Sequence, residues 1–405
     1  MSNISKTLRI VLNDHSGHDF SVQLSRELAR RGHTILHIYS IDFPGPKGDL
    51  VPKPDDPELF SVKGLTLGEP FQKYNFLKRR GQEIQHSRLV IDEVDAFVAD
   101  IVVGTNIPLD ALRILQKHCR TGNIPFVLWL QDIYSSAIKN ILSGKIPIIG
   151  RLVGAFYEHI ERRLLNQSAH IVAITDDFLP QLSAWGIPAS RISVIENWGN
   201  KETIKVGRRH SRWREVHGLG DYKVILYTGT LGLKHNPDLI LAAARTFAAE
   251  REDVKIVVTS DGPQLDYLRT IAANEGLPNV LTLPFQACEQ YGDMLASADV
   301  LIAALNPEAA SYSVPSKVLS YLCSGRAIVL SADKNNLASR IISRSHSGIV
   351  TSPNEIRGFV AAIETLLDDH TLREACGGHA RNYADEHFDV HAIADQFETV
   401  LLNCF

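Results

Sequence analysis

Lys317 lies in the stretch Asn306–Leu330, where residue types and spacing describe an anion site. Pro315 suits a first helical turn, where a missing amide costs nothing. Ser311 and Ser313 place hydroxyls near the expected N-cap. Gly325, after Leu322-Cys323-Ser324, suits a left-handed C-cap. Asp299–Leu305 before this helix and Arg326–Leu330 after it read as inner strands. A helix therefore opens directly after a strand, with unpaired amides around Ser316 and Lys317. Those N–H groups, the positive end of the helix dipole and the lysine charge converge as they do around a bound phosphate. The same residues also fit an ordinary strand–helix turn with a solvated lysine.

A second turn, Asn13-Asp14-His15-Ser16-Gly17-His18, follows a short strand at Leu8–Leu12. Gly17 either lets the backbone approach a ligand or simply makes the turn. The turn is not G-x-G-x-x-G, so a nicotinamide cofactor is not supported. Residues 72–88 interleave Lys73, Lys78, Arg79, Arg80 and Arg88 with Tyr74, Phe76 and Leu77. Such a segment lies on an anionic bilayer surface or forms a solvated helix face. No Asp-x-Asp pattern occurs. The acidic pairs Asp55-Asp56, Asp176-Asp177 and Asp368-Asp369 suit loops or helix ends, so neither a metal nor a cofactor is expected.

The elements that must position these residues form two βα series. In the first, strands at Leu8–Leu12, Thr34–Tyr39, Asp100–Gly104, Phe126–Leu130, His170–Ile174 and Ile192–Val194 alternate with helical stretches, and 41–68 reads as a long loop rich in Pro, Gly and Asp. The second runs from Lys223–Tyr227 to Gly348–Val350, and three helical stretches then fill 355–402. Uncharged strands of this kind suit parallel sheets covered on both faces. The fold class expected is α/β, with two Rossmann-like, doubly wound domains facing a cleft. The boundaries read as 1–198, a polar linker at 199–216, 217–385, and a C-terminal helix at 386–405 packing back towards the first domain. With 405 residues, 44% hydrophobic and 22% charged, the chain is long enough for two cores. A net charge of -4 argues against nucleic acid as a partner. Five cysteines without paired spacing, no signal-peptide pattern and no long apolar run point to a cytoplasmic protein, peripheral on the membrane at most.

In this order the motifs resemble a retaining glycosyltransferase of the GT-B fold, of the family 4 kind. They are Gly17 after the first strand, Val194-Ile195-Glu196-Asn197, Leu226-Tyr227-Thr228-Gly229-Thr230-Leu231, Ser260-Asp261-Gly262-Pro263, and Val314-Pro315-Ser316-Lys317 through Gly325-Arg326. The nearest branch makes O-antigen, capsule or other surface polysaccharides, often with a Pro-Ser-Lys loop. The resemblance implies a nucleoside-diphosphate sugar donor held mainly by the second domain, and a glycan or lipid-linked acceptor held by the first. Its diphosphate would lie over the helix opening near Ser316, flanked by Ser313 and Val314, with Lys234 and Lys317 as catalytic cations. Phe285 and Gln286 fall where the base is held. Four positions depart from the family pattern: Thr230 stands for the usual arginine, Ser320 for the glutamate on the ribose, Tyr312 for the glutamate eight residues before it, and Gln131 for a histidine beside Asp132. Asp132 either accepts a proton from the acceptor or caps the next helix. Front-face attack with retention is the mechanism the family implies. An epimerase or hydrolase on the same fold, and a silent sugar-nucleotide-binding subunit, are the alternatives.

Overall fold

The computed structural model describes residues 6–72, 75–145, 147–232, 234–307 and 314–405. The chain divides into two units, residues 1–196 with 389–405, and residues 197–388. The stretch 199–216 falls within the second unit.

The first unit runs β1 (Arg9–Asp14), α1 (Asp19–Arg30), β2 (Thr34–Ser40), β3 (Phe60–Leu65), α2 (Phe76–Phe97), β4 (Ile101–Thr105), α3 (Leu109–Thr121), β5 (Phe126–Leu130), α4 (Tyr134–Lys145), α5 (Pro147–Gln167), β6 (His170–Ala173), α6 (Leu179–Ala184) and β7 (Ile192–Val194). Its strands are all parallel, in the order β3-β2-β1-β4-β5-β6-β7. Strand order reverses between β1 and β4, so a crevice opens there at the carboxyl ends. Residues 41–68 are not all loop: β3 pairs with the edge of β2 over six residue pairs. Only half-buried, it lacks the long apolar run that marks the inner strands.

The second unit contains α7 (Arg212–Val216), β8 (Lys223–Thr228), α8 (Pro237–Glu250), β9 (Val254–Thr259), α9 (Pro263–Asn274), β10 (Val280–Leu283), α10 (Cys288–Ala296), β11 (Val300–Ala304), α11 (Lys317–Ser324), β12 (Ala327–Ser331), α12 (Leu337–Ser345), β13 (Gly348–Thr351), α13 (Ile356–Asp368) and α14 (His370–His387). Its parallel sheet has the order β10-β9-β8-β11-β12-β13 and reverses between β8 and β11. Phe247 of α8 and Phe359 of α13 pack on one face of it, fully buried with Ile225, Tyr227 and Ile302. Both units are thus doubly wound α/β domains. No helix among the described residues is long and apolar enough to cross a membrane.

The last helix, α15 (Val390–Leu402), belongs to the first unit. Phe397 sets its buried ring edge-on to Trp129 of β5 at 4.7 Å. Arg31, just after α1, donates to Asp395 at 2.6 Å and Glu398 at 2.9 Å. His33 meets the other oxygen of Glu398 at 3.0 Å. Removing a buried aromatic leaves a cavity worth about 3–5 kcal/mol. Phe397→Ala is therefore expected to destabilise the first unit by that amount, read as faster amide exchange in β5 with the second unit's exchange unchanged. A loss below about 1 kcal/mol would mean that α15 is not part of that core.

Candidate active site

In the second unit the reversal point is closed by two tyrosines. Tyr321, one turn into α11, accepts a hydrogen bond from Thr228 N at 3.1 Å and donates to Ile302 O at 3.1 Å. One hydroxyl thus ties α11 to the end of β8 and the middle of β11, and with it Lys317, four residues earlier on the same face. Tyr227 donates to Thr230 O at 3.2 Å, and the Lys317 ammonium rests on its hydroxyl, 3.8 Å from the ring centroid. Gly229 has a φ of +105°, and a Cβ there would stand 3.2 Å from Lys317 Cε. Glycine is therefore required both by the turn and by the lysine's path. The loop beyond is fastened by Ser260, which accepts from Leu231 N and donates to Gly229 O, each at 2.8 Å. His235 Nδ1 accepts from Gly232 N at 3.1 Å, and Lys234 O accepts from Asn306 N at 3.0 Å.

Burial pushes the Lys317 ammonium well below its ordinary range, and the charge of Lys234 presses it the same way. Two like charges that act on one another each disfavour the charged form, and a nearby anion favours it. The site therefore has the electrostatics of an anion receptor. Helix α11 opens at Lys317 itself; Ser316 is exposed, stands at the N-cap and makes no side-chain capping bond. Its left-handed stop at Gly325 has a φ of +65°. Thr230, Val314 and Ser320 are half-buried around this opening, and Ser311, Tyr312 and Ser313 lie outside the described residues. Phe285 and Gln286 stand apart, after β10 at the sheet edge. The Gln286 amide is already engaged, accepting from Trp213 Nε1 at 2.8 Å and donating to Pro284 O at 2.8 Å.

In the first unit Gln131 and Asp132 follow β5 and line a pocket with Asn106, Trp129, Tyr134 and Glu161. Gly17 lies outside it. With a φ of +73°, its amide donates to Asp14 O at 3.0 Å, and a Cβ would collide with Leu50 Cδ1 at 2.8 Å. The turn and the packing thus account for this glycine. The helix after β5, α4, is capped by Glu161 of α5, which accepts from Tyr134 N and Ser135 N, each at 2.9 Å. Burial, outweighing those bonds, pushes the Glu161 carboxyl up to about 7, with the charge of Asp132 adding. Nothing in the local sequence marks Glu161, which sits mid-helix among charged neighbours. The buried carboxylate of Asp14, with His18 and Asn106, was likewise invisible, since Asn106 is 92 residues away. Among the described residues, no three His, Cys, Asp or Glu side chains stand together as a metal site.

Two parallel α/β units, each with a reversal of strand order at its centre, make the GT-B architecture. Comparison with known proteins agrees. Residues 19–198 match the family described as Glycosyl transferase 4-like domain, and residues 210–383 match Glycosyl transferases group 1. The chain is a glycosyltransferase built from these two domains. Alpha-D-kanosaminyltransferase of Streptomyces kanamyceticus is 22% identical over 281 residues, 68% of this chain and 70% of that protein. The putative colanic acid biosynthesis glycosyl transferase WcaI of Escherichia coli is 23% identical over 307 residues, 73% and 71% of the two chains. Among solved structures, Anabaena HepE in complex with UDP-glucose superposes with a TM-score of 0.71 at 17% identity, covering 98% of this chain and 100% of that one. That likeness shows the fold.

The raised Glu161 carboxyl makes a test of the pocket's electrostatics. Between 4.5 and about 7 the folded chain holds a proton that the unfolded chain has released. This contribution is present below 4.5 and is lost as pH rises to about 7, at about 1.4 kcal/mol per pH unit. Glu161→Gln cannot titrate, so its stability relative to the wild type is expected to rise by roughly 1–3 kcal/mol across that window. Urea titrations at a series of pH values measure it; a flat difference would mean that Glu161 ionises normally.

Proposed function

We propose that this glycosyltransferase moves a sugar, with retention at the anomeric carbon, from a nucleoside-diphosphate sugar to a glycan or lipid-linked glycan. The setting we propose is surface-polysaccharide assembly on the cytoplasmic face of a membrane. The observation that carries the reading is the pair Lys317 and Lys234 at the reversal point of the second unit. As the bond between the anomeric carbon and the phosphate oxygen lengthens, negative charge gathers on the diphosphate. Cations already in place stabilise that charge without reorganising. Lys317, pressed below its usual range by burial, regains its full charge against an anion. The acceptor oxygen bonds the anomeric carbon on the face the diphosphate leaves, and its proton passes to the departing phosphate oxygen. A double displacement would instead need a carboxylate nucleophile, for which Asp132 is the candidate and Gln131 is not. Names among the relatives support the setting: the colanic acid enzyme, and a lipopolysaccharide 1,2-N-acetylglucosaminetransferase of Salmonella typhimurium, 22% identical over 63% of this chain and 68% of its own.

Lys317→Ala removes a cation that matters most as the bond breaks. Turnover is expected to fall by about 10²–10³, with a smaller effect on donor binding. Ser320→Glu, which restores the carboxylate of the family pattern, is expected to tighten donor binding without changing the sugar chosen. Assays with labelled UDP-, GDP- and dTDP-sugars, with and without acceptor, read both variants. Epimerisation without acceptor would favour the other enzyme class, and binding without turnover the silent subunit. No change on losing Lys317 would remove this reading.

The membrane contact we propose is shared between two helices. Of the basic segment, Arg79 is committed to Glu83 at 2.6 Å and Arg80 to Asp110 at 2.8 Å, while Lys73 lies outside the described residues. Phe76 and Leu77 at the start of α2 are nevertheless 63% and 86% exposed. On α5, Ile148, Leu152 and Phe156 recur every four residues and are also exposed, beside exposed Arg151. The two patches flank one node, since Asp110 also accepts from Tyr157 at 2.9 Å. Flotation with phosphatidylglycerol vesicles is expected to recover the protein at low salt and less of it as salt rises. Leu152→Glu with Phe156→Glu should abolish recovery; unchanged flotation of that variant would overturn the surface.

A further inference from the structure

The carboxyl end of β1 and the loop after β4 meet at the reversal point of the first unit, and a single buried carboxylate organises them. Asp14 is fully buried and accepts from Ser16 N at 3.1 Å, His18 N at 2.7 Å, Ser21 Oγ at 2.6 Å and Asn106 Nδ2 at 2.9 Å. These donors and the neighbouring His18 ring hold its carboxyl well below the usual range despite burial, so it is an anion. Asn106 reaches it from a left-handed backbone, φ +54°, a conformation that few non-glycine residues adopt. The same amide nitrogen lies 3.2 Å from His18 Nδ1. An amide nitrogen only donates, so Nδ1 faces a donor and a ring hydrogen sits on Nε2. His18 is stacked on Phe20 at 5.3 Å, and Phe20 meets Trp129 edge-on at 5.2 Å. Its side chain is 36% exposed, and Nε2 has no partner among the described residues. Asn106 and Trp129 are walls of the pocket that holds Gln131 and Asp132.

We propose that His18 is the side chain of the first unit that recognises the acceptor, donating from Nε2–H to a sugar hydroxyl. The inference rests on the glycosyl-transfer reading above and adds a residue to it. The chemistry selects a neutral oxygen over a phosphate. A phosphate would face the Asp14 anion, 3.5 Å behind the ring, and would find the turn's amides already used. Ser16 N and His18 N serve the Asp14 carboxylate, and Gly17 N serves the Asp14 carbonyl. What the turn offers is one oriented N–H beside an aromatic wall, which suits a carbohydrate. His18 supplies from β1 the imidazole that Gln131 cannot supply from β5.

The test uses the full chain with 15N-labelled histidine rings. Methyl glycosides of glucose, galactose, mannose and N-acetylglucosamine are added in turn, with inorganic phosphate as the contrast. The expected result is an Nε2–H tautomer whose resonance moves with at least one glycoside and not with phosphate. His18→Phe keeps a ring against Phe20 but loses the donor. It is expected to leave the melting temperature unchanged and to weaken the glycoside about tenfold, the usual effect of one lost hydrogen bond. His18→Gln, which retains an N–H, should bind within about threefold of the wild type. A resonance that no glycoside moves, one that phosphate moves equally, or a Phe variant that binds as tightly would overturn the assignment. The measurement needs neither donor nor turnover. Absent transfer with a glycoside-responsive His18 would therefore remove the glycosyl-transfer reading and leave the sugar contact standing.

Discussion

A parallel sheet of largely uncharged inner strands must be covered on both faces, and here every connection within a sheet except that from β2 to β3 crosses over through a helix. Winding in both directions from a central strand leaves one gap where the crossovers diverge. In this chain that gap falls between β1 and β4 in one unit and between β8 and β11 in the other. Strand ends there have lost their helical cover, so side chains must finish the exposed backbone. Asp14 does so in the first unit, collecting the amides of its own turn. Tyr321 does so in the second, bridging β8 to β11 from the facing helix. Everything assigned to chemistry is suspended from these two closures.

The closures give the units opposite electrostatics. In the first unit a buried anion stands behind the His18 imidazole, and the pocket beside it is lined by two further acids, Asp132 and Glu161. In the second unit a neutral tyrosine, held unionised by burial, carries a lysine that a second lysine disfavours. Such a pair costs stability by itself, because each positive charge disfavours the other. The departures from the family pattern at Gln131, Thr230 and Ser320 each replace a charged or titratable group by a neutral one.

Several features belonged to the sequence alone. The two βα series were legible because uncharged runs and helical spacing are local patterns, and the stop at Gly325 was legible because a left-handed turn demands glycine. The helix opening at Lys317 followed from Pro315, one residue or two from where it stands. Edge strand β3 was missed because an edge buries only part of its surface and carries little apolar signal. The ion pairs of Arg79 with Glu83 and of Arg80 with Asp110 do not show in composition.

The tertiary structure decided which distant groups share a hydrogen bond. Asp14 with Asn106, Tyr321 with Thr228, Glu161 with Tyr134 and Gln286 with Trp213 are separated by 92, 93, 27 and 73 residues. None follows from propensity or period, because each depends on which strands became neighbours and in what register. Protonation belongs to the same class. A lysine at 317 is a plain cation in the sequence, and becomes a depressed one only when burial and Lys234 surround it. Local patterns record the covalent neighbourhood, whereas charge and hydrogen bonding answer to the spatial one, which exists only once the sheet has closed.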